Sequence, residues 1–367
     1  MHVAFLNMPQ ERYSTVSGGA VSTIIAATAA ALERAGHQVS VLTRTDRHDV
    51  HAPGHVVELE RMPRPRLSAL QGRIAHGRGF DAVVYRRAAE AALRSLGGVD
   101  AIVVFNDYRS PGWIQACAPS ARILIWLQND EDIPPECNDL AHVHRVLACS
   151  DYIRARAAER GVPAEQVVTA MSGVDADFFV PSADWPRPSD HLRVVTVGRL
   201  DPNKGHHVAV EAVGVLQSEA AISLTLAGAR WWYGDAVDDY GRELIDEVAR
   251  LGGSYVGLVP RGGMPDLLRR HDVCFVLSIS QEPLGLIALE AMAAGCAVIA
   301  SDRGGLPEAC GGAALLVDPE DSMDVQDALR TLLVAPSALE ERKRQSRSRA
   351  VRAPWTATAA VLLSALD

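Results

Sequence analysis

Short apolar runs rich in β-branched residues alternate with helix-length segments along the chain, and this alternation constrains the fold more than any other feature. The runs occupy residues 2–7, 38–43, 101–105, 123–127 and 143–149, and then 193–197, 223–227, 254–259, 273–277, 297–300 and 314–317. Strands that alternate with helices form parallel sheets with helices on both faces. The sequence therefore predicts an α/β protein of the doubly wound type.

A proline-rich segment, residues 181–190, separates these runs into two series. Its prolines cannot continue a helix or a central strand, and 367 residues exceed what one core usually fills. We therefore predict two doubly wound domains, residues 1–183 and 184–352, that face each other across a cleft. A last apolar helix, residues 353–367, is expected to pack back on the N-terminal domain.

Charge and hydrophobicity argue against several classes of protein. A net charge of −9 is unfavourable for wholesale nucleic-acid binding. No apolar run approaches the roughly 18 residues of a membrane-spanning helix. The first residues have neither the basic region nor the cleavage site of a signal peptide. We therefore expect a cytoplasmic protein.

The six cysteines form no C-x-x-C pair, and none has a histidine at the spacing of a zinc finger. Most of them lie in apolar runs, as Cys149 and Cys274 do. This distribution is typical of reduced, buried thiols rather than of a disulfide framework.

Lysine is rare in this chain. Of the 36 basic residues 34 are arginine, which suggests a GC-rich bacterial genome, and the two lysines are Lys204 and Lys343. Lys343 lies at the start of a charged segment, residues 342–352, that we expect to be a surface helix. Lys204 instead follows the first strand of the second series.

Arg199 and Lys204 flank a turn between that strand and a helix. In open parallel sheets, ligands bind beyond the carboxyl ends of the strands. Arginine offers a planar fork and lysine a mobile point charge, so the pair suits a diphosphate. Two solvated surface cations are the alternative, and the rarity of lysine favours the functional interpretation.

Gly18 and Gly19 occupy the equivalent position after the first strand of the chain. Glycines before a helix allow a ligand to approach the backbone amides and the positive end of the helix. The pattern matches neither the nicotinamide fingerprint G-x-G-x-x-G nor a P-loop. An ordinary glycine turn is the alternative.

A third loop carries two carboxylates around a helix start. Glu282 leaves an apolar strand, Gly285 and Leu286 open a helix, and Glu290 lies among apolar neighbours inside it. A carboxylate on an apolar face requires a cation or hydroxyl groups as partners. A ligand made of ribose, diphosphate and hexose would satisfy this layout. Alternatively, Glu282 could be exposed and Glu290 could pair with an arginine, which would explain each residue alone.

These loops resemble those of the retaining glycosyltransferases of family four, the group 1 glycosyl transferases. The markers are Gly18-Gly19, Ser172-Gly173-Val174-Asp175 with Phe178 or Phe179, Gly198-Arg199-Leu200 with Lys204-Gly205, Glu282-Pro283-Leu284-Gly285-Leu286 through Glu290-Ala291-Met292, and Gly304-Gly305-Leu306-Pro307-Glu308. The resemblance covers nearly the whole chain. It implies the GT-B fold, in which an acceptor-binding N-terminal domain and a nucleotide-sugar-binding C-terminal domain, both Rossmann-like, face each other across a cleft. It also implies metal-independent transfer from a nucleotide sugar to a hydroxyl acceptor.

The resemblance implies a catalytic role for three residues. Arg199 and Lys204 would hold the diphosphate and stabilise the departing nucleotide, and Glu282 would bind hydroxyls of the donor sugar. The leaving phosphate itself would take the proton of the acceptor. Other residues would bind the donor through backbone amides, the ribose or the base, namely Gly18, Gly19, Val259, Gly285, Leu286 and Glu290.

On the acceptor side the sequence departs from many relatives, because Gln128 stands where a histidine is common. Glutamine binds a hydroxyl but does not titrate near neutral pH. Asp130 lies close by in sequence, and Asn106 with Asp107 forms a second candidate loop. The commoner Phe of the third loop is replaced by Leu284.

No metal and no cofactor besides the nucleotide-sugar co-substrate are expected. Asp130-Glu131-Asp132 has the letters of a D-x-D metal motif, but it falls far from the predicted diphosphate site. It is a minor alternative.

Two further segments have open interpretations. The acid-free segment 61–78 is rich in arginine and could bind anionic lipid or an anionic acceptor, but a solvated face is favoured because few large apolar residues accompany it. Trp231-Trp232-Tyr233 could line the cleft or pack against the next helix.

Two other functions compatible with the fold are a nucleotide-sugar epimerase and a catalytically silent binding subunit. The first would need acid and base residues around the donor sugar, and none stands out. Arg199, Lys204, Glu282 and Glu290 argue against the second, whereas Gln128 is compatible with it. The sequence leaves the base, the sugar, the acceptor and the oligomeric state open.

Overall fold

The computed structural model describes residues 1–15, 19–44, 53–59, 78–134, 140–185, 191–230 and 236–367. Gly18, nearly all of the arginine-rich segment 61–78 and the Trp231-Trp232-Tyr233 trio lie outside the described residues, so the hypotheses about them stay predictions.

The N-terminal domain is built on a parallel sheet with the strand order β3-β2-β1-β4-β5-β6-β7. Its strands are β1 (His2–Leu6), β2 (Gln38–Thr43), β3 (His55–Glu58), β4 (Ala101–Phe105), β5 (Arg122–Leu127), β6 (Arg145–Ala148) and β7 (Val167–Thr169). The helices described in this domain are α1 (Ala20–Arg34), α2 (Arg78–Leu96), α3 (Ser110–Cys117) and α4 (Asp151–Glu159).

The C-terminal domain repeats this plan with the order β10-β9-β8-β11-β12-β13. Its strands are β8 (Leu192–Val197), β9 (Ile222–Ala227), β10 (Ser254–Tyr255), β11 (Val273–Val276), β12 (Ala297–Ser301) and β13 (Leu315–Val317). The helices are α5 (His206–Leu216), α6 (Asp239–Arg250), α7 (Met264–Leu268), α8 (Leu286–Ala293), α9 (Leu306–Cys310), α10 (Ser322–Val334) and α11 (Pro336–Val351), and α12 (Trp355–Ser364) ends the chain.

Both faces of the N-terminal sheet are buried, which explains why its strands are continuous apolar runs. Val3 and Phe5 enter one apolar cluster, whereas Ala4 and Leu6 enter another on the opposite face. Successive side chains of a strand point to opposite faces, so helices must cover both. The predicted α/β class with two parallel, Rossmann-like domains is confirmed.

The sequence mispredicted one strand and missed two. The strand expected at 254–259 covers only Ser254–Tyr255, because Gly257 turns to a φ of +71° and its carbonyl accepts from the amide of Gly228. Strands β3 and β7 are short and lie at the two edges of their sheet, where the apolar pattern is weak.

The segment around Lys343 forms the expected helix with an exposed, charged face, but Lys343 itself is buried. In α11 the side chain of Lys343 is only 3% exposed, and its Nζ lies 2.9 Å from Oδ1 of the buried Asp272. Arg193 contacts the same carboxylate at 2.8 Å. The inward face of α11 carries Lys343, Ser346 and Ala350, so polar and small residues conceal its burial from a hydrophobicity pattern.

Helix α12 lies against the N-terminal domain. Trp355, Ala359 and Leu362 join the apolar cluster that contains Ile24 and Ile25 of α1. Among the described residues, no helix is both long enough and apolar enough to cross a membrane.

Candidate active site

The loops that carry Lys204 and Glu282 meet because β8 and β11 are neighbours in the sheet. Nζ of Lys204 lies 2.6 Å from Oε2 of Glu282. Both side chains are largely buried, with 28% and 15% of their surfaces exposed. Two of the three predicted catalytic residues are therefore in direct contact.

Gly205 makes this contact possible. Its φ is +66°, a left-handed conformation, and a Cβ atom here would lie 1.8 Å from the carbonyl oxygen of Leu277. Only glycine allows the two loops to approach so closely. The amide of Ile279 donates to the carbonyl of Asn203 at 2.8 Å and joins the loops a second time.

Glu282 is ionised although it is buried. Its Oε2 also accepts a hydrogen bond from the hydroxyl of Ser278 at 2.8 Å. Burial by itself would raise the pKa of Glu282, but Lys204 and the Ser278 hydroxyl outweigh this effect, so that its pKa lies below the ordinary value of 4.5.

Arg199 lies beside this pair but has a different partner. Its Nη1 is 3.4 Å from Oδ2 of Asp201, and Nη1 of Arg230 is at the same distance from that oxygen. The side chain of Arg199 remains 38% exposed. Asp201 thus links two guanidinium groups at the mouth of the loop.

His206, which was not predicted from the sequence, fixes the backbone of Arg199. Its Nε2 lies 2.9 Å from the carbonyl of Arg199, and its Nδ1 lies 2.8 Å from the hydroxyl of Thr196. A carbonyl can only accept, so Nε2 carries the proton and Nδ1 accepts from Thr196. Burial lowers the pKa of His206 to about 4, and the ring is neutral at pH 7. Nothing in the sequence distinguishes His206 from its exposed neighbour His207.

The start of α8 lies next to Glu282. Gly285 precedes the helix with a φ of +89°, and Leu286 is its first residue. The first amides of a helix have no intrahelical acceptor and attract anions. The side chain of Leu286 packs against apolar clusters of both domains, so this helix start faces the boundary between them.

Glu290 is bound to an arginine, as one of the two interpretations of the sequence anticipated. Its Oε1 accepts from Nη1 of Arg261. The guanidinium of Arg261 also lies 5.1 Å from the ring centre of Phe179. Val259 is half-buried in the loop that leads to Arg261. Arg261 was not predicted as a site residue, although it follows the predicted strand 254–259 and therefore lies at an end of the sheet where ligands bind.

Gly19 caps the start of α1, but a carboxylate already lies there. Oε2 of Glu11 accepts from the amide of Ser22 at 2.9 Å. Burial raises the pKa of Glu11 above its ordinary value, and the hydrogen bonds from Ser22 oppose this shift. Glu11 was not predicted from the sequence, because its position relative to α1 depends on the path of the intervening loop.

Asn106 and Asp107 organise the acceptor-side loops through their own side chains. Asn106 has a φ of +52°, and its Oδ1 accepts from the amides of Gln128 and Asn129 at 2.6 and 3.2 Å. Oδ1 of Asp107 accepts from the amide of Arg109 at 2.8 Å, just before α3. Both side chains thus make internal contacts that fix backbone.

Asp130 is held by Arg156 of α4 and by Arg160, which follows the last residue of that helix. Its oxygens lie 2.9 Å from Nε of Arg156 and 2.7 Å from Nε of Arg160. The hydrogen bond from Arg160 is the main reason that the pKa of Asp130 is lowered. Asp132 contacts Arg160 as well. Across the ranges that the structure describes, no group of three or more His, Cys, Asp or Glu side chains is arranged to hold a metal ion.

Gln128 differs from these residues, because Nε2 of its amide is buried without a hydrogen-bond partner among the described residues. The hydroxyl of Tyr108, another residue that was not predicted, is in the same condition. Burial raises the pKa of Tyr108 to about 12, so it stays protonated. Buried polar groups are normally paired, so these two atoms are exceptions among the acceptor-side residues.

Two protein-family models match the chain, one in each half. The model of glycosyltransferase family 4 matches residues 17–178, and the model of group 1 glycosyl transferases matches residues 181–350. The chain belongs to this glycosyltransferase family. A glycogen synthase of Mycobacterium tuberculosis is 31% identical to this chain over 229 residues. The match spans 60% of this chain and 54% of that enzyme.

Solved structures of glycosyltransferases share the fold over the full chain. A sucrose-phosphate synthase from Thermosynechococcus elongatus has a TM-score of 0.74 at 22% identity, with 99% of this chain and 97% of that chain covered. Anabaena HepE in complex with UDP and glucose has a TM-score of 0.72 at 18% identity, with 99% and 98% covered. This likeness establishes the GT-B fold.

Proposed function

We propose that this chain transfers a sugar from a nucleoside-diphosphate sugar to a hydroxyl group, with retention of configuration and without a metal ion. The contact between Lys204 and Glu282 beside the start of α8 carries the proposal. It combines a mobile cation, a carboxylate and helix amides, which are suited to phosphate, sugar hydroxyls and an anion. Family membership and the UDP-bound state of HepE are consistent with it.

Lys204 would change partners when the donor binds. Its ammonium group donates to Glu282, and a diphosphate bears more negative charge than this single carboxylate. The phosphate oxygens would therefore take over the ammonium group. Glu282, ionised because of its lowered pKa, would then accept hydrogen bonds from the sugar hydroxyls.

Arg199 and Lys204 would also supply the charge that catalysis requires. As the bond from the anomeric carbon to the phosphate oxygen breaks, negative charge grows on the diphosphate, and two cations stabilise it. The acceptor oxygen forms the new bond on the face from which the nucleotide leaves, and its proton passes to the leaving phosphate. No metal ion is needed in this scheme.

A donor panel tests the proposal. The chain would be heated with UDP-, GDP- and ADP-glucose, and the donor that raises the melting temperature would be assayed for hydrolysis and transfer. Product analysis by NMR should show the anomeric configuration of the donor, with unchanged rates in EDTA. Formation of an epimer of the donor sugar without an acceptor would support an epimerase instead.

Lys204→Ala is the decisive variant. We expect a loss of nucleotide affinity and of turnover by about 100-fold, because the ammonium group acts on the diphosphate. Arg330→Ala is the matched control, since it removes a cation from an exposed ion pair with Glu219 in the same domain. Equal behaviour of both variants would overturn the role of Lys204.

A further inference from the structure

The N-terminal domain, which is the predicted acceptor domain, contacts the loop of Glu282 and Pro283 through Ser150. This loop is called the donor loop below. This residue caps α4, where its Oγ accepts from the amide of Ile153 at 3.1 Å. The same hydroxyl donates to the carbonyl of Pro283 at 2.6 Å. Because Pro283 follows Glu282, the hydroxyl of one domain fixes the backbone next to a predicted catalytic residue of the other.

Glu308 makes the reciprocal contact from the C-terminal domain. Its Oε2 accepts from the amide of Asp151 at 2.6 Å, and its Oε1 accepts from the amide of Tyr152 at 2.7 Å. These amides begin α4, where helix geometry leaves them without acceptors. A carboxylate at this position is stabilised by the amides and the helix dipole.

Gly304 and Gly305, which precede Glu308, contact the donor loop directly. The amide of Gly305 donates to the carbonyl of Glu282 at 2.7 Å. A Cβ atom on Gly305 would lie 2.3 Å from the carbonyl of Pro283 and 2.9 Å from Cβ of Ser150, so no side chain fits. A Cβ atom on Gly304 would lie 2.2 Å from the carbonyl oxygen of Glu282. The segment 304–308 therefore joins the donor loop to α4.

We propose that Ser150 and Glu308 are positioning residues. Together they join α4 of the N-terminal domain to the donor loop, so that the donor-sugar site is complete only when the two domains are together. The proposal rests on the function proposed above. Segment 304–308 is one of the family markers in the sequence, and none of the donor contacts described above involves it. The proposal gives this segment a role. Glu282 would bind the sugar, whereas Arg199 and Lys204 would bind the diphosphate from the loop after β8.

Glu308→Gln and Ser150→Ala test the proposal. Asp321→Asn is the matched control, because Oδ1 of Asp321 caps α10 by accepting from the amides of Met323 and Asp324 at 3.0 and 3.3 Å within one domain. All three variants lose part of a helix cap and should melt somewhat below the wild type. Only the first two should lower kcat for UDP-glucose hydrolysis, by about tenfold, while the Kd for UDP stays within about twofold.

Small-angle scattering separates this proposal from the function on which it rests, because it needs no donor. Ser150→Ala/Glu308→Gln should have a larger radius of gyration than the wild type and Asp321→Asn. An unchanged radius, or a kcat equal to that of Asp321→Asn, would overturn the positioning role. A wild-type chain that hydrolyses neither UDP-glucose nor the other donors would contradict the proposed function, and the scattering result would still decide whether Ser150 and Glu308 hold the domains together.

Discussion

His206 holds Arg199 by its backbone: the imidazole Nε2 donates to the carbonyl of Arg199, while the guanidinium of the same residue points to a different partner, Asp201. The position of a predicted catalytic cation is thus set by a buried neutral ring. Four predictions test this and other relationships in the site.

Replacing His206 should change the acid stability of the chain. Its pKa is about 4 in the folded state and 6.5 when exposed, so the unfolded chain binds the extra proton between these values. Folding stability due to His206 is therefore fully present above pH 6.5 and lost as the pH falls toward 4, by about 3 kcal/mol. Urea unfolding at pH 7 and pH 4.5 should show a smaller loss in His206→Gln than in the wild type; equal losses would contradict the assignment. His207→Gln, at an exposed position, is the control.

Replacing Glu282 should separate nucleotide binding from sugar transfer. Glu282→Gln removes the carboxylate that competes for Lys204, so UDP without a sugar should bind about threefold more tightly. Turnover of a nucleotide sugar should fall, because the amide makes weaker bonds to sugar hydroxyls. Calorimetric titration and a hydrolysis assay measure both quantities. Glu320→Gln, from an exposed pair with Arg303, should change neither, and weaker UDP binding in Glu282→Gln would refute the exchange of partners.

Replacing Gly205 should displace Lys204. Gly205→Ala places a methyl group on the carbonyl of Leu277, so we expect a loss of more than about 3 kcal/mol in unfolding free energy and of nucleotide affinity. Gly252→Ala isolates the conformational part, because Gly252 has a φ of +67° and its added methyl group would have no atom within 4 Å. That control should cost about 1 kcal/mol and leave nucleotide binding intact. Similar losses in both variants would show that the approach of the two loops is unimportant.

Removing Lys343 should destabilise the fold without affecting catalysis. Burial would raise the pKa of Asp272, but Arg193 and Lys343 outweigh it and lower the pKa, so Lys343→Ala leaves a buried anion with one partner instead of two. We expect a loss of about 3 kcal/mol in urea unfolding. Arg344→Ala, on the exposed face of the same helix, should lose less than about 1 kcal/mol. Comparable values for the two would mean that the buried pair contributes no more than a surface pair.

The sheets could be predicted from sequence because strands buried on both faces must be apolar throughout. The partners of charged groups could not, because they depend on how distant segments meet. Lys204 and Lys343 illustrate the difference: both occur in polar sequence, yet one reaches a carboxylate 78 residues away and the other one 71 residues away. Asn106 and Asp107 show the same limit, since a loop sequence does not reveal that its polar side chains bind backbone amides. Their predicted place on the acceptor side stays a prediction.

The chain crosses between its domains twice, once in the segment that precedes β8 and again between α11 and α12. At the second crossing Val174 pairs with Pro354, and the amide of Val174 donates to the carbonyl of Ala353 at 2.8 Å. Two covalent connections restrict the relative motion of the domains more than a single linker would. The hydrogen bonds from the amides of Asp151 and Tyr152 to the Glu308 carboxylate must therefore break whenever α4 moves away from segment 304–308.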